Sequence, residues 1–336
     1  MKKWLLFLLK FLFTVGCLWW AFSGIDFKHS VFTHPQDLSW PWIAGGIALG
    51  GATVFLSALR WWLLLRAQGI TVGLWRVTEL TLIGNLFNLF AVGGVGGDAA
   101  KIFLLIREHP ERKLAVTMSV LVDHLVGLVA MAIVFFAMTA GRFEALEDQS
   151  VLGKGTIHFA WVFFAGGLAF VAFFFVMASP WVHDRIHKGG KRVPKWEVLR
   201  RVPEIYDVYR RKWGHALAAL AVSAFMLPVY YTTFWCGARS MYDDVDPVQV
   251  FSAMPVVDAM SAMPVSISGI GVREKTFEIL MNDLAGLPAE VAVSGSLIGF
   301  ACSLVWAALG GILFLRPSDR TPMKQIEEIT HAEAEA

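Results

Sequence analysis

The chain has 336 residues, is 56% hydrophobic and is only 17% charged, whereas soluble domains carry about a quarter charged residues. It reads as a polytopic membrane protein, and the length-to-domain rule for soluble chains does not apply. A formal net charge of +2 gives no ground for a nucleic-acid partner, and Cys17, Cys236 and Cys302 lie too far apart to suggest a metal or disulfide framework.

Met-Lys-Lys opens the chain and an apolar run follows over about 4–22. Lys10 interrupts that run and no small-x-small cleavage site follows, so a retained transmembrane helix is preferred to a cleaved signal peptide. A helical span needs about 20 apolar residues. Five more stretches qualify cleanly: 40–59, 114–138, 158–178, 215–237 and 290–315. Two others, 77–106 and 248–284, are apolar but broken by glycine and charge.

Positive charge orients the spans. With a cytoplasmic N-terminus, Arg60, Arg66 and Arg76, the ten Lys/Arg of 179–214, and Arg316, Arg320 and Lys324 all fall on the cytoplasmic side. The opposite loops are poor in Lys and Arg. This works only if each broken segment enters and leaves on one side, so both are expected to be re-entrant hairpins. Eight simple spans with one orientation anomaly is the rival count. The expected fold is therefore all-α: about six full transmembrane helices and two glycine-broken hairpins in a single membrane domain, 1–316. Each half, 1–140 and 155–316, reads span, span, hairpin, span, which is the pattern of an inverted-topology repeat.

Within 179–214, Val202, Ile205, Tyr209 and Trp213 recur at helical spacing among basic residues. An amphipathic helix on the anionic leaflet and an ordinary positive loop both fit. The tail 317–336 is acidic, poor in apolar residues and expected to be disordered.

The breaks carry the chemistry. "AVGGVGGDAAK" (91–101) and "VSISGIGVREK" (265–275) each place glycines before an acidic and a basic residue. The hairpin breaks are assigned to Gly93, Gly94, Gly96 and Gly97 in the first, and to Pro264, Gly269 and Gly271 in the second. Broken backbone in a membrane is tolerated only where protein or a water-filled cavity satisfies it. A half-helix starting there presents free N–H groups to an anion. Lys101 and Arg273 stand where they would meet a phosphate, Arg by two parallel hydrogen bonds.

Intramembrane ionisable residues are functional candidates: Glu79, Asp98, Lys101, Asp123, His124, Asp258, Arg273 and Glu274. Structural pairing of Asp98 with Lys101, or of Arg273 with Glu274 and Asp123, is the bland alternative. Asp98 also suits a helix cap. Asn85 and Asn88 either face a cavity or satisfy hairpin carbonyls. His124 reads best as a hydrogen-bonded core histidine. No Walker A sequence, Rossmann context or third zinc ligand near His183 and His187 is present, so neither cofactor nor metal is expected.

Three motifs carry a resemblance: "GNLFNLFAVGGVGGDAAKIFLL", "SVLVDHLVGL" and "MPVSISGIGVREKTFEIL". Together they resemble the flippase-like membrane region of the lysylphosphatidylglycerol synthases, over about residues 1–316. Ala91 stands where that family usually has Pro, and Lys101 and His124 stand where it usually has Arg. The chain ends soon after its last span, so the expectation is a stand-alone member without the soluble aminoacyl-transferase domain.

The resemblance implies a lipid-handling protein of the bacterial inner membrane, with both termini cytoplasmic. The expected activity is to move or present an amphipathic, phosphate-bearing envelope lipid between leaflets, without enzymatic chemistry. Lys101 and Arg273 would contact the headgroup, with Asp98 and Glu274 orienting them or carrying a coupling proton. Asn85, Asn88, Asp123 and His124 complete the candidate site. The alternative is a non-transporting scaffold for an envelope-lipid biosynthetic enzyme. A membrane-embedded transferase would need Asp98 or Asp258 as its base.

Overall fold

The computed structural model describes residues 38–90, 96–139, 150–178, 207–263 and 265–315, with Leu12, Val15, Gly16, Trp19 and Trp20. Gly93, Gly94, Pro264, most of the first apolar run, most of the 179–214 linker and the 317–336 tail lie outside the described residues.

Among the described residues the chain is helical and has no strand. We number the helices α1 (Trp40–Ala67), α2 (Leu74–Phe90), α3 (Gly96–Glu108), α4 (Lys113–Thr139), α5 (Val151–Ala178), α6 (Trp213–Arg239), α7 (Pro247–Ser261), α8 (Val272–Ala285) and α9 (Ala289–Phe314). Five of them, α1, α4, α5, α6 and α9, are long and apolar enough to cross a membrane. The protein is a multi-pass membrane protein.

The expected span 40–59 is too short. Helix α1 runs on to Ala67, because Arg60 finds a carboxylate inside the protein and need not end the helix at the interface. Arg60 is therefore not a loop residue. Helix α5 likewise begins at Val151, so Lys154 is helical.

The two broken segments form helical hairpins. At the base of the first, Arg76 at the start of α2 donates from Nε and Nη2 to Glu108 Oε1 at the end of α3, at 2.8 and 2.7 Å. Arg76 Nη1 also reaches Glu79 at 2.9 Å, so Glu79 belongs to this base. At the base of the second, Gln249 Nε2 at the start of α7 donates to the Leu284 carbonyl near the end of α8 at 3.1 Å. Helix α3 has 13 residues, about 20 Å at the helical rise, short of the roughly 30 Å hydrocarbon core.

Helix α7 starts on a clear local signal: Asp246 accepts from Val248 N–H at 2.9 Å, with Pro247 in the first turn. The turn that leads into α8 places Ser268, Gly269 and Gly271 at φ 53°, 74° and 85°. Glycine adopts such angles without a Cβ penalty.

Small residues set the helix spacing. A Cβ on Gly237 of α6 would collide with the Gly295 carbonyl of α9, and one on Gly299 would lie 2.8 Å from Phe234 Cα. Lipid tails give helices no solvent-driven reason to associate, so close van der Waals packing of this kind holds them together. Trp306 of α9 lies over Gly51 and donates to the Ile47 carbonyl of α1 at 2.7 Å.

This packing makes Gly295 intolerant of side chains, since a Cβ there would sit 2.8 Å from Ala238 Cα. Gly295→Val is expected to destabilise the protein by about 1–3 kcal/mol. Gly45→Ala, with nothing within 4 Å of the added Cβ, should stay within about 0.5 kcal/mol of wild type. Thermal unfolding in detergent checks both.

Candidate functional site

In the first hairpin, α2 and α3 cross at glycine. A Cβ on Gly97 would strike the Gly84 carbonyl, and one on Gly84 would lie 3.0 Å from the Lys101 side chain. The Gly97 N–H, left without an intrahelical partner at the start of α3, donates to Asn88 Oδ1 at 2.8 Å. Asn88 thus satisfies an amide N–H of the break, not the carbonyl expected. Asn85 is partly buried on α2.

Asp98 sits in the first turn of α3 and holds two partners. Lys101 Nζ lies 2.7 Å from Oδ1, and His124 Nε2 of α4 lies 2.6 Å from Oδ2. The Lys101 ammonium also lies 5.3 Å from the centroid of the buried Trp61 ring, within cation–π range. His124 is not a core histidine. Its side chain is 63% exposed, against 11% for Asp98, so this cluster opens away from the packed interior through the imidazole.

Asp123 points elsewhere. It takes Arg60 of α1 in a two-point pair, Nε to Oδ1 at 2.6 Å and Nη2 to Oδ2 at 2.8 Å. It does not pair with Arg273. The remaining Arg60 Nη1 lies 3.4 Å from Ser223 Oγ of α6, so this pair ties α1, α4 and α6 together. Gly127, one turn along α4 from Asp123, leaves the space that the guanidinium fills.

The second hairpin holds a sealed pair. Arg273 donates from Nε and Nη2 to Glu274 Oε1 at 3.0 and 2.9 Å, and the two side chains are 5% and 0% exposed. Glu274 Oε2 accepts the Gly271 N–H and so caps α8. The Arg273 guanidinium lies 3.8 Å from the Phe300 ring centroid and 6.0 Å from that of Phe234. Asp258, in the last turn of α7, is partly buried.

The structure thus divides the predicted residues into three groups. Asp98, Lys101 and His124 form one cluster, with Asn88 and Gly97 at its edge. Arg273 and Glu274 form a second, with Gly269 and Gly271 beside them, and Asp258 lies on the other arm of that hairpin. Asp123 belongs to a third with Arg60. Trp61, Phe234 and Phe300, the aromatic faces under the cations, have no signal in the sequence beyond their place in apolar helices. Among the described residues no group of His, Cys, Asp and Glu is arranged to hold a metal.

The aromatic residues beneath the two cations are separated by an offset that recurs elsewhere in the chain. Trp61 and Phe234 are 173 residues apart (234 minus 61) and lie under Lys101 and Arg273 respectively. The same offset separates two indole clasps: Trp62 Nε1 donates to the Val72 carbonyl and Trp235 Nε1 to the Val245 carbonyl, at 2.9 and 2.8 Å. It also separates the starts of α1 and α6 (213 minus 40) and of α2 and α7 (247 minus 74). Beyond the breaks the offset is 176, for α3 and α8 (272 minus 96) and for α4 and α9 (289 minus 113).

A family model described as the lysylphosphatidylglycerol synthase TM region matches residues 7–311. No curated protein matches the chain, and no solved structure does.

The Arg60–Asp123 pair is expected to hold the fold and not to touch a ligand. Asp123→Asn, which leaves the guanidinium without its carboxylate, should cost on the order of 3–5 kcal/mol, and Arg60→Met with Asp123→Leu should recover most of it. Urea or thermal unfolding measures the loss, and lipid content per folded molecule should match wild type in the double variant.

Proposed function

The chain belongs to the lysylphosphatidylglycerol synthase TM-region family, and on that premise we propose that it moves or presents a phosphate-bearing amphipathic lipid between membrane leaflets. The family gives it a membrane lipid-related role; the movement and the headgroup sites are our reading. The observation that carries it is the pair of partly or wholly buried cations, Lys101 and Arg273, each in a hairpin break, each on an aromatic face and each held by a carboxylate. An intramembrane charge of this kind is expensive and marks a substrate pathway by default.

Their positions support a two-leaflet reading. The Ser39 N–H donates to the Ser240 carbonyl at 2.8 Å, so the start of α1 lies beside the end of α6. The two helices therefore run in opposite directions. Trp61, under Lys101, is six residues from the end of α1 (67 minus 61), and Phe234, under Arg273, is five from the end of α6 (239 minus 234). At about 1.5 Å per residue, each cation site lies within roughly 10 Å of one helix end, and the two ends face opposite sides. One headgroup site would serve each leaflet.

The repeated offsets support two halves built as an inverted-topology repeat, with the hairpins re-entering from opposite faces. The end that carries Asp243, Asp244, Asp246 and Asp283 has Lys154 and Arg239 as its basic residues, whereas the other end carries Arg66, Arg76, Arg107, Arg112, Lys113, Arg210, Arg211 and Lys212. The positive-inside rule then supports a cytoplasmic basic face, cytoplasmic termini and a bacterial inner membrane. The activity needs no bond-making step, so we propose a carrier and not an enzyme.

A phosphate reaches either cation by replacing its carboxylate. Arg273 keeps its two-point geometry on exchange, whereas Lys101 acts as a point charge. Lipid mass spectrometry on protein purified in mild detergent tests this, with wild type beside Lys101→Gln and Arg273→Gln. One anionic lipid class should be enriched over the host membrane and fall at least about tenfold in both variants, a loss of roughly 1.4 kcal/mol per site. Bulk lipid in all three folded samples would turn the reading toward a scaffold for an envelope-lipid biosynthetic enzyme.

A further inference from the structure

Two cations stand apart from the three clusters above. Arg66 lies in the last turn of α1 and Arg239 in the last turn of α6. The Arg66 guanidinium is 4.4 Å from the centroid of the Trp62 ring, and that of Arg239 is 5.7 Å from the centroid of Trp42. Lys101 and Lys275 also lie over tryptophans, Trp61 and Trp20, but each has a carboxylate as well, Asp98 and Glu278. Among the described residues neither Arg66 nor Arg239 has a carboxylate within ion-pair distance. The Arg239 Nε is buried and has no hydrogen-bond partner there.

The two positions match. They are 173 residues apart (239 minus 66), the offset that also relates Trp61 to Phe234 and Trp62 to Trp235. Arg66 rests on Trp62, one turn back on its own helix. Trp235, one turn back from Arg239, instead meets Trp42 edge-on with centroids 4.9 Å apart, and Arg239 rests on Trp42. Each arginine is five residues beyond the ring under an inner cation (66 minus 61, 239 minus 234). At about 1.5 Å per residue it lies roughly 8 Å nearer the helix end than Lys101 or Arg273 does. Because α1 and α6 run in opposite directions, one arginine stands at each end of the protein.

A bland account is that both complement the helix dipole and reach for the interface. It explains Arg66, at an end rich in Lys and Arg. It explains Arg239 poorly, since that end carries Asp243, Asp244, Asp246 and Asp283 and is the one where Lys and Arg are sparse. Nor does a side chain that only reaches outward bury its Nε. A ring face attracts a cation electrostatically but takes up none of the donors at the guanidinium edge. That edge matches a phosphate in two parallel hydrogen bonds. An anion arriving there displaces no carboxylate, unlike one arriving at Lys101 or Arg273.

We propose that Arg66 and Arg239 are two further anion sites, each binding the phosphate of a lipid in the leaflet at its own end. A lipid phosphate is the anion found where spanning helices end, at the level where indole rings gather. That these sites receive cargo before it moves on to Lys101 or Arg273 rests on the lipid reading above; the binding itself does not.

The test uses the full chain in phosphatidylcholine nanodiscs containing phosphatidylglycerol, with bound lipid counted by native mass spectrometry and folding checked by thermal unfolding. Arg66→Gln and Arg239→Gln should each lower phosphatidylglycerol affinity about tenfold at one site. Arg66→Lys and Arg239→Lys keep the charge at the helix end, so they hold the fold if the Gln variants do not, and they should recover only part of the loss. Wild-type affinity in the folded Gln variants overturns the proposal. So does full affinity in the Lys variants, which would reduce both residues to helix-end charges. Added inorganic phosphate should leave the lipid bound; its displacement would make these sites for a soluble anion and overturn the lipid assignment. Lys101→Gln and Arg273→Gln separate the two readings in the same assay. Loss of binding at the end variants alone would leave this proposal standing and sink the inner headgroup sites, and loss at the inner variants alone would do the reverse.

Discussion

An apolar medium leaves no polar group to be satisfied by solvent, and the architecture follows from that constraint. Each break in a helix frees backbone groups, and each ionisable side chain inside must find a counter-charge or give up its charge. Asn88 takes the freed Gly97 N–H, and Glu274 takes the freed Gly271 N–H. Arg60 is accepted in mid-helix because Asp123 meets it at two points. The close approach of Gly237, Gly295 and Gly299 then brings α6 and α9 near enough for Phe234 and Phe300 to enclose Arg273. Packing and polar satisfaction are one problem here, since the rings that cover the guanidinium also exclude the water that would otherwise hydrate it.

On the proposed function, the same constraint limits how tightly a headgroup would be held. Neither cation is free: Lys101 rests on Asp98, and Arg273 rests on Glu274. A phosphate arriving there would replace a carboxylate of similar charge and similar hydrogen bonds, so the net gain would be small. A carrier would gain from that balance, because a site that holds its cargo too firmly does not release it. The two sites differ in their readiness for exchange. The first opens through a largely exposed His124, while the second is sealed at 5% and 0% exposure. On the proposed function, cargo would reach the first cluster past the imidazole, whereas Glu274 would be released only if the aromatic enclosure loosened.

Much of the fold was legible in the sequence, and the reasons are physical. Apolar runs near the bilayer length mark the spans, and glycine with charge marks the breaks, so the helices 113–139, 213–239 and 289–314 were expected within a few residues. The pairs Asp98–Lys101 and Arg273–Glu274 were legible because they are neighbours in sequence. Arg60 with Asp123 was not: the partners are 63 residues apart, and a positive charge at the end of an apolar run looks like an interface residue. The aromatic faces were invisible for the opposite reason. Trp61, Phe234 and Phe300 are ordinary apolar residues in apolar helices, and only tertiary packing gives them a cation. His124 was misread because an intramembrane histidine beside an aspartate suggests burial, while the helix turns it toward Asp98 and the outside.

On the repeat reading, the two halves keep their geometry and only part of their charge. They keep helix starts, hairpin bases and the indole clasps on Val72 and Val245, all of which fix geometry. They keep some charged positions, Arg66 with Arg239 and Asp98 with Glu274, and change others. Arg60 corresponds to Thr233, Asn85 to Asp258, and, beyond the breaks, His124 to Phe300. Removing Arg60 from the second half also removes the need for Asp123, and Gly299 occupies that place, letting α9 approach Phe234. The closer approach seals Arg273 between aromatic rings, so one half holds its cation dry while the other holds its cation open beside an imidazole.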